Sequence, residues 1–241
     1  MSSSSQVPSG LSLQDAWSGM KTYMVPSFAA GVAIVPTFYG FVVKSAQQAG
    51  EPVPHMRLRE ALGGGVRAAP TLGVIVGTQM AAQGILEKLF AAKGREKGSD
   101  FWSMLCSAIV VGLVSAPILA IFNGQTMGRS MSQSLRELSA KQAGAILARE
   151  TSFLLALRVS DPISEKLKRI YGNGPVVNCG VPFLSGAIGS FVGHAPDTLL
   201  TRLQKGKATH CRQLMLGSPA KAAAVGCFSM IYANVKKLFE V

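Results

Sequence analysis

The sequence predicts an all-α membrane protein with six transmembrane helices in three pseudo-threefold repeats, and three observations carry that prediction. Only 15% of the 241 residues are charged, and mean hydropathy is +0.31. No Asp, Glu, Lys or Arg falls between Lys21 and Lys44, Arg67 and Glu87, Asp100 and Arg129, or Arg169 and Asp197. Each of these runs is at least 19 residues long, and a membrane-spanning helix needs about 20 mostly apolar residues. Finally, Pro36, Pro117 and Pro196 sit late in three such segments, 81 and 79 residues apart. A long, fixed period means one supersecondary unit used repeatedly.

The elements follow in order. Residues 1–20 are a polar lead, and the repeats take residues 21–97, 98–175 and 176–241. The first unit pairs a helix over 22–47 with one over 66–91. Between them lie Gly50, Pro52 and Pro54 and the amphipathic run His55 to Leu62. The second unit pairs 101–130 with 142–168 through a join from Arg129 to Lys141. The third pairs 178–204 with 218–239 through a shorter basic join. Gly94, Gly98, Gly172, Gly174 and Pro175 punctuate the boundaries between units.

Two segments, Gln142 to Lys166 and Ala222 to Val235, are too polar or too short for a hydropathy criterion alone, and each is assigned as the second helix of its unit. A soluble helical bundle is the competing class. The 28 uncharged residues at 101–128 exceed what a small soluble core buries in one helix.

Proline inside a helix removes one hydrogen bond and kinks the chain, so Pro36, Pro117 and Pro196 would tilt three helices toward a common axis. Ala108, Gly112 and Ala116, and likewise Ser185, Gly189 and Gly193, form stripes of small residues four apart. Such stripes let backbones approach in lipid, although glycine is also simply common in membrane helices. The net charge of +12 suits anionic lipid headgroups better than nucleic acid, since no compact basic and aromatic cluster is present. Basic residues in both sets of joins leave membrane orientation open. Cys106, Cys179, Cys211 and Cys227 have no zinc spacing, no metal or catalytic site is expected, and the Gly63 to Gly65 run lacks the strand and Lys-Ser/Thr of a phosphate loop. The start of the chain carries neither a signal-peptide nor a transit-peptide pattern, so any organellar address is expected to be internal.

The stretch Ala195-Pro-Asp-Thr-Leu-Leu-Thr-Arg-Leu-Gln204 resembles the signature of the mitochondrial carrier family, Pro-x-Asp/Glu-x-x-Lys/Arg-x-Lys/Arg followed by x-Gln. Asp197, Arg202 and Gln204 fall in register, and proline is displaced by one place. The resemblance covers about residues 20–239. It implies the three-repeat barrel, an inner mitochondrial membrane location, and cardiolipin as the bound anionic lipid. Arg67-Ala-Ala-Pro70 resembles the Arg-x-x-Pro of the even helices, and Arg149 follows 82 residues later. By position, both arginines inherit candidacy as substrate contacts in the central cavity. An arginine within a membrane segment is a functional candidate in its own right, and its fork suits carboxylate or phosphate. Each could instead pair with a helix carbonyl or reach the interface.

The departures are as informative. In the family, an acidic and a basic residue after each proline form a salt-bridge ring that closes the cavity and breaks during transport. Here Phe38 and Phe41 fill those places after Pro36, Leu119 and Phe122 after Pro117, and Leu200 stands for the third base. Lys44 is either a displaced ring charge or an interfacial anchor, and the anchor is the favoured reading. The second ring, on the even helices, keeps only Asp161 and Lys236, with Ser164 in place of the base that would follow Asp161.

The expected function is therefore a non-transporting, structural or accessory subunit of a larger membrane assembly, such as a respiratory-chain complex with cytochrome c oxidase as one candidate. An active carrier of an anionic metabolite, using Arg67 and Arg149, is the alternative. An outer-membrane adaptor or insertase is a third class, resting only on the degenerate motifs. A cavity lined by both arginines would favour transport, and a centre filled with side chains would favour structure.

Overall fold

A computed structural model describes the backbone of residues 13–92, 101–172 and 174–239. Side chains are described for residues 21, 23–82, 85–86, 89, 106–152, 166–167, 169–172 and 174–239. Most of the polar lead thus lies outside the described residues, as does the side chain of Asp161.

Among the described residues every regular element is helical. Helix α1 spans Leu13–Ala49 and continues through Pro26 and Pro36. It stops at Gly50, whose positive φ of 64° suits glycine, and Glu51 N–H returns to Ala46 O at 2.9 Å. Helix α2 spans Leu58–Ala92, so the amphipathic run and the helix expected from residue 66 are one element. The Glu60 carboxylate accepts from Arg57 N–H at 3.0 Å and organises its start. Helix α3 is Phe101–Thr126, continuous through Pro117. The short α4, Met131–Arg136, is N-capped by Ser130, and α5, Ala140–Tyr171, by Ser139. Helix α6, Pro175–Val192, opens on proline. Then come α7, His194–Gln204, a 3-10 turn at Cys211–Gln213, and α8, Ser218–Phe239.

The expected helix over 178–204 is therefore two helices broken at Gly193. Pro196 lies in the first turn of α7 rather than at a kink within one helix. Proline has no N–H for Val192 O and crowds the preceding turn. Three residues before it stands Gly193, which takes φ −84° and ψ 16° and holds Gly189 O only at 3.5 Å. The corresponding residues ahead of Pro36 and Pro117 are Ala33 and Val114. There the helix continues without a break, because neither Ala nor Val yields as readily as glycine.

The long helices pack as a closed ring: α1 on α2, α2 on α3, α3 on α5, α5 on α6, α6 on α8, and α8 back on α1. Helix α7 lies against α5 and α1. The core is built from inward faces, with Ile34, Phe38 and Val42 of α1 meeting Leu119 and Phe122 of α3, Ile146 of α5 and Leu200 of α7. The Gly63 to Gly65 run is a packing surface. A Cβ on Gly65 would lie 2.5 Å from Val35 O and 2.6 Å from Val35 Cα, whereas one on Gly63 would meet nothing within 4 Å. The stripe on α3 faces α5, since a Cβ on Gly112 would reach Leu147 and Glu150. On α6 the close approach to α8 falls to Gly186 beside the expected Ser185, against Ser229 and Val225 O.

Four segments are long and apolar enough to cross a membrane: Tyr23–Ala49, Cys106–Thr126, Pro175–Val192 and Cys211–Phe239. Their outer faces carry large exposed apolar side chains, among them Phe28, Val32, Leu113, Val114, Leu184, Ile188 and Phe191, as a multi-pass membrane protein requires. Helices α2 and α5 do not qualify among the described residues. The expectation for α2 rested on its lack of charge, but Pro70, Thr71, Gln79 and Gln83 dilute its apolar content. Helix α5 carries Arg149 and Glu150 as well as Arg158.

Candidate functional site

The polar residues of the helices are concentrated at the centre of the ring. On α1, Lys44 and Gln48 are one turn apart and share a face, and both are buried. On α7, His194, Asp197, Thr198, Thr201 and Gln204 recur at helical spacing and are all buried. Asn123 and Thr126 come from α3, Arg149 and Glu150 from α5, and Lys221 from the first turn of α8. The break at Gly193 lets α7 present its polar face to α1 and α5.

Asp197 is the hub, at 1% exposure. Its Oδ2 lies 2.8 Å from Lys44 Nζ and 3.3 Å from Lys221 Nζ, and it accepts from Gln48 Nε2 at 2.9 Å. Its Oδ1 lies 3.2 Å from Arg149 Nη1. Arg149 also pairs with Glu150 Oε1 at 2.8 Å, and Gln79 Nε2 donates to Glu150 Oε2 at 2.9 Å. Lys221 Nζ donates to Gly193 O at 3.1 Å, the carbonyl at the helix break. One carboxylate thereby ties α1, α5, α7 and α8 together. Buried charges persist only when paired and hydrogen-bonded in this way.

A second layer surrounds the hub. Asn123 Nδ2 donates to Gln204 Oε1 at 2.6 Å, Gln204 Nε2 to Ala120 O at 3.1 Å, and Thr201 Oγ1 to Gln48 Oε1 at 2.9 Å. Ser45 Oγ and Thr126 Oγ1 are 2.7 Å apart. Their 81-residue separation equals that of Pro36 and Pro117.

A cavity of about 210 Å³ opens beside the hub. Lys44, Arg149, Glu150, Asp197 and Lys221 are its charged lining, and Gln79, Asn123, Ser190 and Ser229 its uncharged polar lining. Phe41, Phe122 and Phe228 form an aromatic wall, with Phe41 edge-on to Phe122 at 5.8 Å between centroids and to Phe228 at 6.3 Å. Its three cations and two carboxylates are joined by direct ion pairs along the lining.

The residues singled out in the sequence separate into groups. Asp197, Gln204 and Arg149 meet at the centre. Arg202 is buried at its edge, where it donates to Ala208 O at 2.6 Å and, through Nη1, to Gln48 O at 3.3 Å. That satisfies a carbonyl in the last turn of α1. Arg67 is exposed, donates to Gly63 O of its own helix at 3.3 Å, and does not line this cavity. Lys236 is half-buried on α8, about 22 Å along the helix from Lys221 at 1.5 Å per residue. Lys44 is a correction: it is 5% exposed and bound to Asp197, so it is a buried ion-pair partner and not an interfacial anchor. Two helical turns separate it from Pro36, which carries it past the family's position and up to α7.

Phe38, Leu119, Phe122 and Leu200, at the places where the resemblance would put ring charges, pack together in the core. Sequence reasoning missed Lys221, Gln48, Gln79, Asn123 and His194. The available signal was weak: Gln48 stands four residues after Lys44, and Asn123 is a lone amide near the end of an uncharged helix. No family model, no curated protein and no solved structure matches this chain.

Proposed function

We propose that this chain is a mitochondrial-carrier-like protein of the inner membrane that no longer transports and serves as a structural or accessory subunit of a larger membrane assembly. The observation that carries this reading is the shared Asp197 hub. A gate built of separate ion pairs opens one pair at a time. Here Lys44, Arg149 and Lys221 all converge on one buried carboxylate. Moving α7 withdraws the shared counter-charge from Lys44 and Lys221 together and one of the two partners of Arg149, and each stranded buried charge costs about 3–5 kcal/mol. Phe38, Leu119, Phe122 and Leu200 hold the rest of the ring as apolar packing. The equal spacing of Ser45–Thr126 and Pro36–Pro117 supports descent from a repeated unit. Exposed Arg212, with half-buried Lys205 and Lys207, suits anionic lipid, cardiolipin in that membrane. A respiratory-chain complex, cytochrome c oxidase among them, is the proposed assembly.

The test is direct. Purified protein in liposomes should show no exchange of phosphate, dicarboxylates or nucleotides above empty vesicles, and the chain should co-purify from native membranes with a stoichiometric complex. Robust exchange that disappears in Arg149→Ala would reverse the reading. One observation favours that second reading, an active carrier of an anionic metabolite: the cavity retains Lys44, Arg149 and Lys221 on its wall.

A further inference from the structure

We propose that a pocket at one end of the bundle is a docking site for a partner protein, which inserts a tryptophan side chain from an acidic segment. The proposal rests on the reading of the chain as a subunit of an assembly, since it names a surface by which a neighbour is held. The pocket has a volume of about 420 Å³ and lies where the connection after α1, the end of α3 and Lys205 beyond α7 meet. Phe38, Val42, Pro52, Pro54, Met56 and Met127 form its apolar wall, and it shares no lining residue with the cavity beside Asp197.

The polar lining decides the chemistry. Ser45 and Thr126 are bonded to each other at 2.7 Å, and Glu51 is paired with Lys205 at 2.9 Å. That leaves Gln125, whose Oε1 is buried and meets no donor among the described residues. A buried acceptor without a donor is costly. The last torsion of a glutamine side chain is soft, so the amide can turn this oxygen toward whatever fills the pocket. The occupant must therefore bring one hydrogen-bond donor on an apolar body. Indole is that group, with a single N–H, no acceptor, and a flat ring that suits methionine neighbours. A tyrosine would bring an acceptor as well. Tryptophan is also among the residues most enriched at the centres of protein interfaces.

The rim decides the charge. Arg57 and Arg59 follow Met56 of the lining and are exposed. Glu60 takes the backbone N–H of Arg57 rather than its guanidinium, and among the described residues neither guanidinium has an ion-pair partner. Acidic residues beside the tryptophan would complete these pairs, and a basic segment would be repelled. Anionic lipid answers the rim but not the pocket. Phosphate oxygens accept hydrogen bonds and leave Gln125 Oε1 unmet, and the Glu51 carboxylate stands in the lining.

The full-length protein, carrying carbon-13 methionine methyls and held in phosphatidylcholine nanodiscs, provides the test by NMR. Met56→Leu and Met127→Leu assign the two reporter signals. The probe is an acetylated and amidated acidic pentapeptide with a central tryptophan. It is expected to shift both methyl signals saturably, through the indole ring current, and to leave Met230 of α8 unmoved. The same peptide methylated at the indole nitrogen lacks the donor and should bind about threefold to tenfold more weakly, the worth of one hydrogen bond. Lysines in place of the acidic flanks should weaken binding by roughly fivefold or more at low salt. Gln125→Met keeps the side-chain length without the acceptor, and should bring the two tryptophan peptides within about twofold of each other. No shift at Met56 and Met127, or equal binding of the methylated or the lysine-flanked peptide, overturns the proposal. So does N-acetyltryptophanamide binding as tightly as the acidic peptide, or cardiolipin in the nanodisc moving the same two signals equally without peptide. The wild-type series decides this even if Gln125→Met does not fold. Peptide titration reads the pocket whether or not an assembly exists, and co-purification reads the assembly whether or not this pocket holds it, so the two failures are distinguishable.

Discussion

Lys44 of α1 and Asp197 of α7 meet at 2.8 Å in the centre of the ring, both almost fully buried. The pair joins α1 to α7, and the two cations from α5 and α8 share its carboxylate. The stability of the bundle is expected to be unusually sensitive to this one side chain.

Asp197→Asn keeps the shape and some hydrogen bonding but leaves Lys44, Arg149 and Lys221 without their common counter-charge. A loss of about 3–5 kcal/mol is expected from breaking a buried pair on one side. Unfolding of the detergent-solubilised protein would register it. The double variant Lys44→Met/Asp197→Leu should lose less than the two single changes added together, because neighbouring members of one network are not additive.

The two candidate arginines should behave differently. Arg149→Ala strands Glu150 and removes one arm of the hub, with an expected cost of about 3 kcal/mol. Arg67→Ala removes an exposed side chain bonded within its own helix, and should lie within about 0.5 kcal/mol of the parent protein. Equal effects in parallel thermal melts would contradict the assignment of the centre.

The α1–α2 contact gives a backbone test. Gly65→Ala pushes a Cβ into Val35 and should cost about 1–3 kcal/mol. Gly63→Ala, two residues away, meets open space and should be neutral or stabilising by up to ~1 kcal/mol through higher helix propensity. The melting temperature should fall in Gly65→Ala and hold or rise in Gly63→Ala.

Outside the spans, Glu51 pairs with Lys205 at 2.9 Å and Lys207 at 3.2 Å. The hydrogen bond from Lys205, reinforced by Lys207, holds its carboxyl below the ordinary carboxylate range. The folded value is the lower one, so the clamp stabilises fully above the unfolded pKa and is lost as pH falls through the folded one. Because the group is partly exposed, the effect is about 0–1 kcal/mol. Glu51→Gln should cost up to about 1 kcal/mol at pH 7, and the difference from the parent should vanish as pH falls through the folded pKa, which flattens the acid limb.

Local sequence determined much of the architecture. Runs without charge, the spaced prolines and the breaks at Gly50 and Gly172 place the C-terminal ends of the long helices near their observed bounds, because helix formation and apolar burial respond to composition within a few turns. Arg149 was legible as a charge within a membrane-length segment, whereas Asp197 and Gln204 were legible only through the resemblance of residues 195–204 to a known signature. Packing decided what the string could not. Whether Pro196 bends a helix or breaks it depends on Gly193 three residues before. Whether Lys44 reaches the interface or the centre depends on how α1 rotates against α7, and Lys221 joins the hub only because α8 closes the ring on α1 and α6. A charge in the sequence carries no direction. Its partner and its burial are properties of helices brought together from distant parts of the chain.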